Sequence, residues 1–274
     1  MGCGFPGATS VQAVTIRDDQ PDTGYRDLAG NPEYASVGTF SSGLTGCATL
    51  IAPDWVLTSA HLFIQSSGSF TLNGATYTAN QLIKHPQYVR GQELQGYDIG
   101  LAHLITPVSG VTPAIRYTAS LEPVYVMTFV GFGMTGTGLT GANRADLMPR
   151  AFQNMADGDF GNAAVLLGSD FDNPYTTADN GFGDPTPLPL EGSVANGDRG
   201  GGVFLTVGSQ TYLAGVISFV AATDGSANAD YGDVTGFGRV SAFNAWINGI
   251  TPEPSDVSLA GLGAACVWLF RRRG

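Results

Sequence analysis

Histidine is the side chain whose ordinary charge change falls near neutral pH, and this chain carries three: His61, His85 and His103. His61 stands at the exit of Gly46-Cys47-Ala48-Thr49-Leu50-Ile51-Ala52-Pro53-Asp54-Trp55-Val56-Leu57-Thr58-Ser59-Ala60, a run that reads as strand, turn, strand. A neutral imidazole there can accept a proton. A buried carboxylate on its other ring nitrogen would fix the tautomer and stabilise the imidazolium. Asp98, leading into Ile99-Gly100-Leu101-Ala102, reads on its own as a strand-end cap. His85 and His103 lack such surroundings and read as structural. The acids Asp157, Asp159, Asp170, Asp172, Asp179 and Asp184 are of the type that binds hard cations. Their spacing fits no EF-hand loop, so they read as solvated surface acids, and neither a metal nor a cofactor is expected.

The elements that must position these groups are strands. Of 274 residues, 43 % are hydrophobic and only 13 % charged, and 39 Gly and 15 Pro recur without a fixed period, a composition that excludes collagen, coiled coil and disorder. From Tyr34 to about Ile250, short β-branched and aromatic runs alternate with Gly, Pro, Asn and Asp, at the spacing of a sandwich or barrel. Asn73-Gly74 between Ser69–Leu72 and Ala75–Thr78 predicts a hairpin, because both residues tolerate positive φ. One helix is predicted after Ser241 as N-cap, with Phe243, Trp246, Ile247 and Ile250 on one face. The Gly/Asp/Pro-rich stretch from Ala156 to Pro189 reads as a long surface excursion, and no internal repeat is visible.

The His61 segment closely resembles that around the catalytic histidine of chymotrypsin/trypsin-like serine peptidases, and further matches follow in the family's order. Leu82-Ile83-Lys84-His85-Pro86-Gln87-Tyr88 resembles its His-Pro-x-Tyr strand end, and Asp98-Ile99-Gly100-Leu101-Ala102 the segment bearing its aspartate. Val130-Gly131-Phe132-Gly133 resembles the strand that opens the second barrel. Gly215-Val216-Ile217-Ser218-Phe219 resembles the strand lining the substrate groove, and Phe237-Gly238-Arg239-Val240 leads into the terminal helix. The likeness covers about residues 36 to 250. It implies an all-β fold of two six-stranded antiparallel Greek-key barrels with a short C-terminal helix, the site lying between them, and a base and carboxylate at His61 and Asp98.

The nucleophile is where the pattern breaks. Gly197-Asp198-Arg199-Gly200-Gly201-Gly202 resembles the family's Gly-Asp-Ser-Gly-Gly loop with Arg199 in the serine's place. A guanidinium stays protonated and only donates, so it cannot form an acyl-enzyme. The resemblance implies an oxyanion hole from the amides of Gly197 and Arg199. It also implies substrate contacts from Ser218, Phe219 and Val220, with Ser193 at the floor of a neutral specificity pocket. Leu62 stands where most relatives have the cysteine that pairs with Cys47, so Cys47 is expected as a free, buried thiol. No Ile-Val-Gly-Gly activation end is visible, so Asp198 needs another partner, and the segment from Ile16 to Leu28 is one source. Two readings stay open: a serine-type endopeptidase in which Arg199 is an introduced or variant residue, and a pseudopeptidase that binds peptides or proteins.

The ends carry their own signals. Pro252-Glu253-Pro254, an apolar stretch from Val257 to Phe270 and Arg271-Arg272-Arg273 resemble in order the PEP-CTERM sorting signal of Gram-negative bacteria. That implies export, an exosortase-type processing enzyme as partner, and transient contact of the tail with the inner membrane. The expected organisation is an N-terminal extension over residues 1–35, a peptidase-like domain over 36–250 (barrels about 36–120 and 121–250), and the sorting signal over 251–274. Val11-Gln12-Ala13 resembles a small-residue cleavage site, but Met1 to Ala13 holds no basic residue, so the start is expected to lie inside a longer precursor. Twelve Lys and Arg stand against 23 Asp and Glu, for a net charge of −11. Nucleic acid is therefore not an expected partner; a polypeptide substrate or ligand is, bound by a monomer.

Overall fold

The computed structural model describes residues 14–146, 148–157 and 161–251. The expectations for Val11 to Ala13, Asp159 and the tail beyond Thr251 lie outside the described residues.

The chain enters as a two-residue strand, β1 (Thr15–Ile16), and a short helix, α1 (Asp22–Ala29). It then forms β2 (Val37–Ser41), β3 (Thr45–Ala52), β4 (Trp55–Thr58), β5 (Gly68–Leu72), β6 (Ala75–Lys84) and β7 (Gly100–Leu104). These six close into a barrel in the order β2-β3-β4-β7-β6-β5. The β5–β6 turn is the predicted one: Leu72 pairs with Ala75, and Asn73 and Gly74 take φ of 50° and 79°, the mirror-image turn that matches strand twist.

The second half supplies β8 (Met127–Gly131), β9 (Thr135–Thr137), β10 (Gly141–Arg144), β11 (Arg150–Asn154), β12 (Leu166–Asp170), β13 (Gly192–Ser193), β14 (Gly202–Val207), β15 (Gln210–Ala221), β16 (Val234–Arg239) and the helix α2 (Val240–Asn248). Six of these strands form a sheet in the order β11-β8-β14-β15-β16-β12, while β1 is inserted between β9 and β13 in a small four-stranded sheet. The two six-stranded barrel-like sheets and the short final helix are the architecture that the sequence implied.

Three apolar clusters hold this together. Phe40, Leu50, Val56, Phe70 and Leu104 fill the first barrel. Phe129 stacks on Phe152 at 4.6 Å and meets Phe237 edge-on in the second. The third joins the halves: Leu57 and Leu101 from the first barrel meet Val130, Phe204 and Val216 from the second, with Phe243 and Ile247 of α2 closing one end.

Three expectations need correction. Ser241 is not the cap of α2, which starts at Val240 after Arg239; the Ser241 hydroxyl instead donates to the buried Glu122, which also takes Arg239 in an ion pair. The stretch 156–189 is not wholly a surface excursion, because β12 lies inside it, buried along its length and paired with β16 from Leu166↔Gly238 to Asp170↔Val234. Among the acids read as solvated, Asp170 and Asp172 are only 1 % and 6 % exposed. Their loop sequence is polar, but the flanking pairing with β16 drags them under the surface.

Candidate active site

Strand register brings the base and its carboxylate together. In the β4–β7 pair, Thr58 lies opposite Gly100, so the residues just past that end, His61 in the 3₁₀ turn Ala60–Leu62 and Asp98 before β7, emerge side by side. His61 Nδ1 lies 2.7 Å from Asp98 Oδ2, and the His61 amide donates to Asp98 Oδ1 at 2.8 Å. The Ser218 hydroxyl donates to Asp98 Oδ2 at 2.6 Å. His61 and Asp98 are 7 % and 3 % exposed. Water therefore does not compete for this carboxylate, and three donors fix its orientation and, through it, that of the ring.

The glycine loop faces this pair across a cleft of about 500 Å³ whose lining includes His61, Arg199, Ser218, Phe219 and Val220, with Arg90 opposite. Conformation fixes the loop: Gly197 and Gly200 have φ of 100° and 87°, the region that glycine alone enters freely. A Cβ on Gly200 would stand 2.2 Å from both the Cys47 carbonyl and the Thr58 hydroxyl. The Cys47 amide donates to the Arg199 carbonyl at 2.8 Å, its thiol to the Gly197 carbonyl at 3.3 Å, and the Gly200 amide to Ile217 at 2.7 Å. Cys47 is a free, buried thiol, as expected, and desolvation pushes its pKa well up, so it acts as a packing group and donor rather than as a nucleophile.

Asp198 is fully buried, and its partners are three backbone amides: Val14 at 3.0 Å, Gly133 at 2.7 Å and Ala195 at 2.7 Å. Burial outweighs these donors and pushes its carboxyl up to about 7. The partner that the sequence left open is thus the residue just before β1, not the segment from Ile16 to Leu28. Val14 itself sits at φ 37°, a conformation that is an outlier for a β-branched residue.

The structure brings His61, Asp98, Ser218, Phe219, Val220, Gly197 and Arg199 to one place, and leaves Ser193 out. Ser193 is fully buried in β13, its hydroxyl paired with that of Thr235 at 3.2 Å, and the cleft does not reach it. The Phe219 ring packs over Gly236, so closely that a Cβ there would fall 2.3 Å from the ring. Phe219 is in the lining of the cleft and Ser193 is not. Ser218 lines the cleft, but its hydroxyl serves Asp98. His85 and His103 are structural: His85 stacks on Tyr97 at 5.3 Å and meets Phe243 and Trp246, and His103 contacts Asp54 and Asn80.

Sequence reasoning missed Arg90, whose guanidinium donates to the His61 carbonyl at 2.8 Å, and the amide of Val14. Arg90 lies in a loop with no periodicity to place it. Val14 would have needed the pairing of β1 with β9 and β13, a contact across more than a hundred residues. In chemical terms, the cleft holds a proton acceptor hydrogen-bonded to a buried carboxylate, and a cation, Arg199, lines the same cleft. The Arg199 guanidinium, and the amides of Gly197 and Arg199, have no hydrogen-bond or ion-pair partner among the described residues.

A family model described as Trypsin matches residues 29–247. The curated relatives include chymotrypsin-like elastase family member 1 of Felis catus, 26 % identical over 261 residues, covering 85 % of this chain and 92 % of the relative. The same protein of Macaca fascicularis is 27 % identical, with 88 % and 95 % covered. The Homo sapiens protein is 26 % identical, with 85 % and 95 % covered.

Proposed function

The chain belongs to the trypsin family, and from that premise we propose that it is a pseudopeptidase, a serine-peptidase scaffold that binds polypeptide in its cleft without cleaving it. One observation carries this: Arg199, which has the serine's place in the resemblance of the loop Gly197-Asp198-Arg199-Gly200-Gly201-Gly202, lines the same cleft as His61. Peptide hydrolysis in this scaffold needs an oxygen that attacks the carbonyl while the imidazole takes its proton. A guanidinium has no lone pair to offer and no proton to give up at neutral pH. Loss of the nucleophile alone costs on the order of 10⁶ in turnover in a well-characterised serine protease of another fold.

What remains is binding apparatus. The amides of Gly197 and Arg199 can still receive a carbonyl oxygen, Phe219, Val220 and Leu44 offer an apolar wall, and residues 218–221 of β15, paired with β16 but beyond the end of β14, line the cleft. Export belongs to the same reading, supported by the order Pro252-Glu253-Pro254, apolar stretch and Arg271-Arg272-Arg273. It makes an exosortase-type enzyme the partner of the tail, a polypeptide the partner of the cleft, and a Gram-negative envelope or matrix the setting.

The intact His61–Asp98–Ser218 network favours a second reading, in which the scaffold remains one substitution away from serine-type hydrolysis. Fluorogenic peptides offered to the purified chain and to Arg199→Ser test both readings. Turnover is expected only from the variant, and is expected to vanish when His61→Ala is added. Turnover by the unmodified chain that His61→Ala abolishes contradicts the pseudopeptidase reading. Silence from both leaves only the binding role.

A further inference from the structure

The cleft carries cations without acidic partners among the described residues. With 23 Asp and Glu against 12 Lys and Arg, acids are plentiful in this chain, and Arg17, Arg144, Arg150 and Arg239 each have one in an ion pair. Arg90 and Arg199, the two arginines that line the cleft, have none. The Arg90 guanidinium donates to the His61 carbonyl at 2.8 Å, which fixes its place and leaves its charge unanswered. Arg199 is partly buried, in a loop held by two glycines of positive φ, and its amide is unclaimed as well. Lys84 extends the same field: burial first, and the charge of Arg90 second, push its pKa down. Glu93, the one acid of the cleft lining, accepts from the Gly91 amide at 3.1 Å and pairs with neither arginine. Asp98, behind His61, is taken up by His61 and Ser218.

A guanidinium in a partly enclosed cleft binds a carboxylate more strongly than one on open surface, because water and salt screen the pair less. Its planar fork also matches the two oxygens. Beside the arginines, Phe219, Val220 and Leu44 make the lining apolar, and residues 218–221 of β15 present main chain that pairs with β16 and has no partner on β14. A polypeptide lying there brings one negative group of its own main chain, the carboxylate that ends it. Resting on the pseudopeptidase reading, we propose that the cleft captures the C-terminal carboxylate of a polypeptide, with the guanidinium and amide of Arg199 as its donors and Arg90 as the second cation. A peptide bond inside a chain is uncharged, so a guanidinium adds little to its recognition. A chain end carries the charge that both arginines lack.

The test titrates the full chain, at neutral pH, with N-acetylated tetrapeptides ending in Ala, Val, Leu or Phe, each made as the free acid and as the C-terminal amide, and with one amide ending in Glu. Affinity is read by nuclear magnetic resonance, and the recovered peptides by mass. The free acids are expected to bind at least about tenfold more tightly than their amides, and the margin to shrink as sodium chloride rises from about 50 to about 500 mM. Arg199→Gln is expected to remove the margin, Arg199→Lys to restore part of it and Arg90→Gln to narrow it, each variant being checked for folding by its melting curve. Arg116→Gln, whose arginine bonds Asn244 and Asn248 of α2 away from the cleft, should keep it. Equal binding of acids and amides overturns the proposal and leaves the pseudopeptidase reading standing, as does a margin that survives Arg199→Gln or a Glu-terminated amide that matches the free acids. No binding by any peptide overturns both. Peptides recovered shortened overturn the pseudopeptidase reading, and the proposal with it.

Discussion

At the scale of single residues, Arg199 is the side chain on which the proposed loss of hydrolysis rests. His61 and Asp98 meet at 2.7 Å with Ser218 behind them, and Arg199 lines the same cleft. The carboxylate does more than anchor the ring: it selects the tautomer that leaves the outer nitrogen free to accept. If that order is functional, Asp98→Asn placed in the Arg199→Ser background is expected to lower turnover by about 10⁴ while leaving KM within a few-fold, the pattern of a wrong tautomer in an otherwise intact site. Steady-state kinetics decide it, and an effect confined to KM contradicts the assignment. His61, Asp98 and Arg199 were legible in the sequence because each lies in a motif whose order and surroundings persist. Arg90 and the sealed position of Ser193 were not, since both depend on which side chains neighbouring strands push into the cleft.

At the scale of elements, the glycine loop is held from beneath by Asp198, and Asp198 by the residue that starts β1. The Val14 amide is a neutral donor, and burial leaves the Asp198 carboxyl at about 7, far above its value in an unfolded chain. The folded state therefore binds this proton more tightly than the unfolded state does, and its contribution to stability is lost as pH rises through about 7. Cleavage after Ala13, the site that the sequence suggests, would replace the amide with an ammonium beside the carboxylate, and would abolish the φ dihedral that holds Val14 in an unfavourable region. A chain that begins at Val14 is expected to melt higher at pH 8 than the full chain and to lose less stability between pH 6 and pH 8. Equal melting curves across that range contradict this role for Val14. No local pattern announces the arrangement, because β1 is two residues long and finds its partners far along the chain.

At the scale of the molecule, the two halves are one cooperative body through the apolar cluster that joins them. Phe204 sits in it, nearly inaccessible and 5.2 Å from Tyr34. Phe204→Ala is expected to cost about 3–5 kcal/mol and to leave a single urea transition, seen alike by far-ultraviolet dichroism and by tryptophan fluorescence. Two separated transitions in the unmodified chain contradict the shared core. A sandwich or barrel of strands was legible because strand-sized apolar runs and turn residues recur from Tyr34 to about Ile250, and the two-barrel arrangement was implied by the resemblance of the motifs. β12 was hidden because its run Ala163-Ala164-Val165-Leu166-Leu167 lies between Gly- and Asp-rich stretches that outweigh it. The burial of Asp170 and Asp172 follows from that strand and was hidden with it.

The central claim is that the cleft keeps its base and carboxylate and lacks a nucleophile. Treatment with a serine-directed fluorophosphonate, read by intact mass, tests it most directly: the chain is predicted to stay unlabelled, while Arg199→Ser gains one adduct that His61→Ala prevents. A single adduct on the unmodified chain, lost on replacing His61, would contradict it.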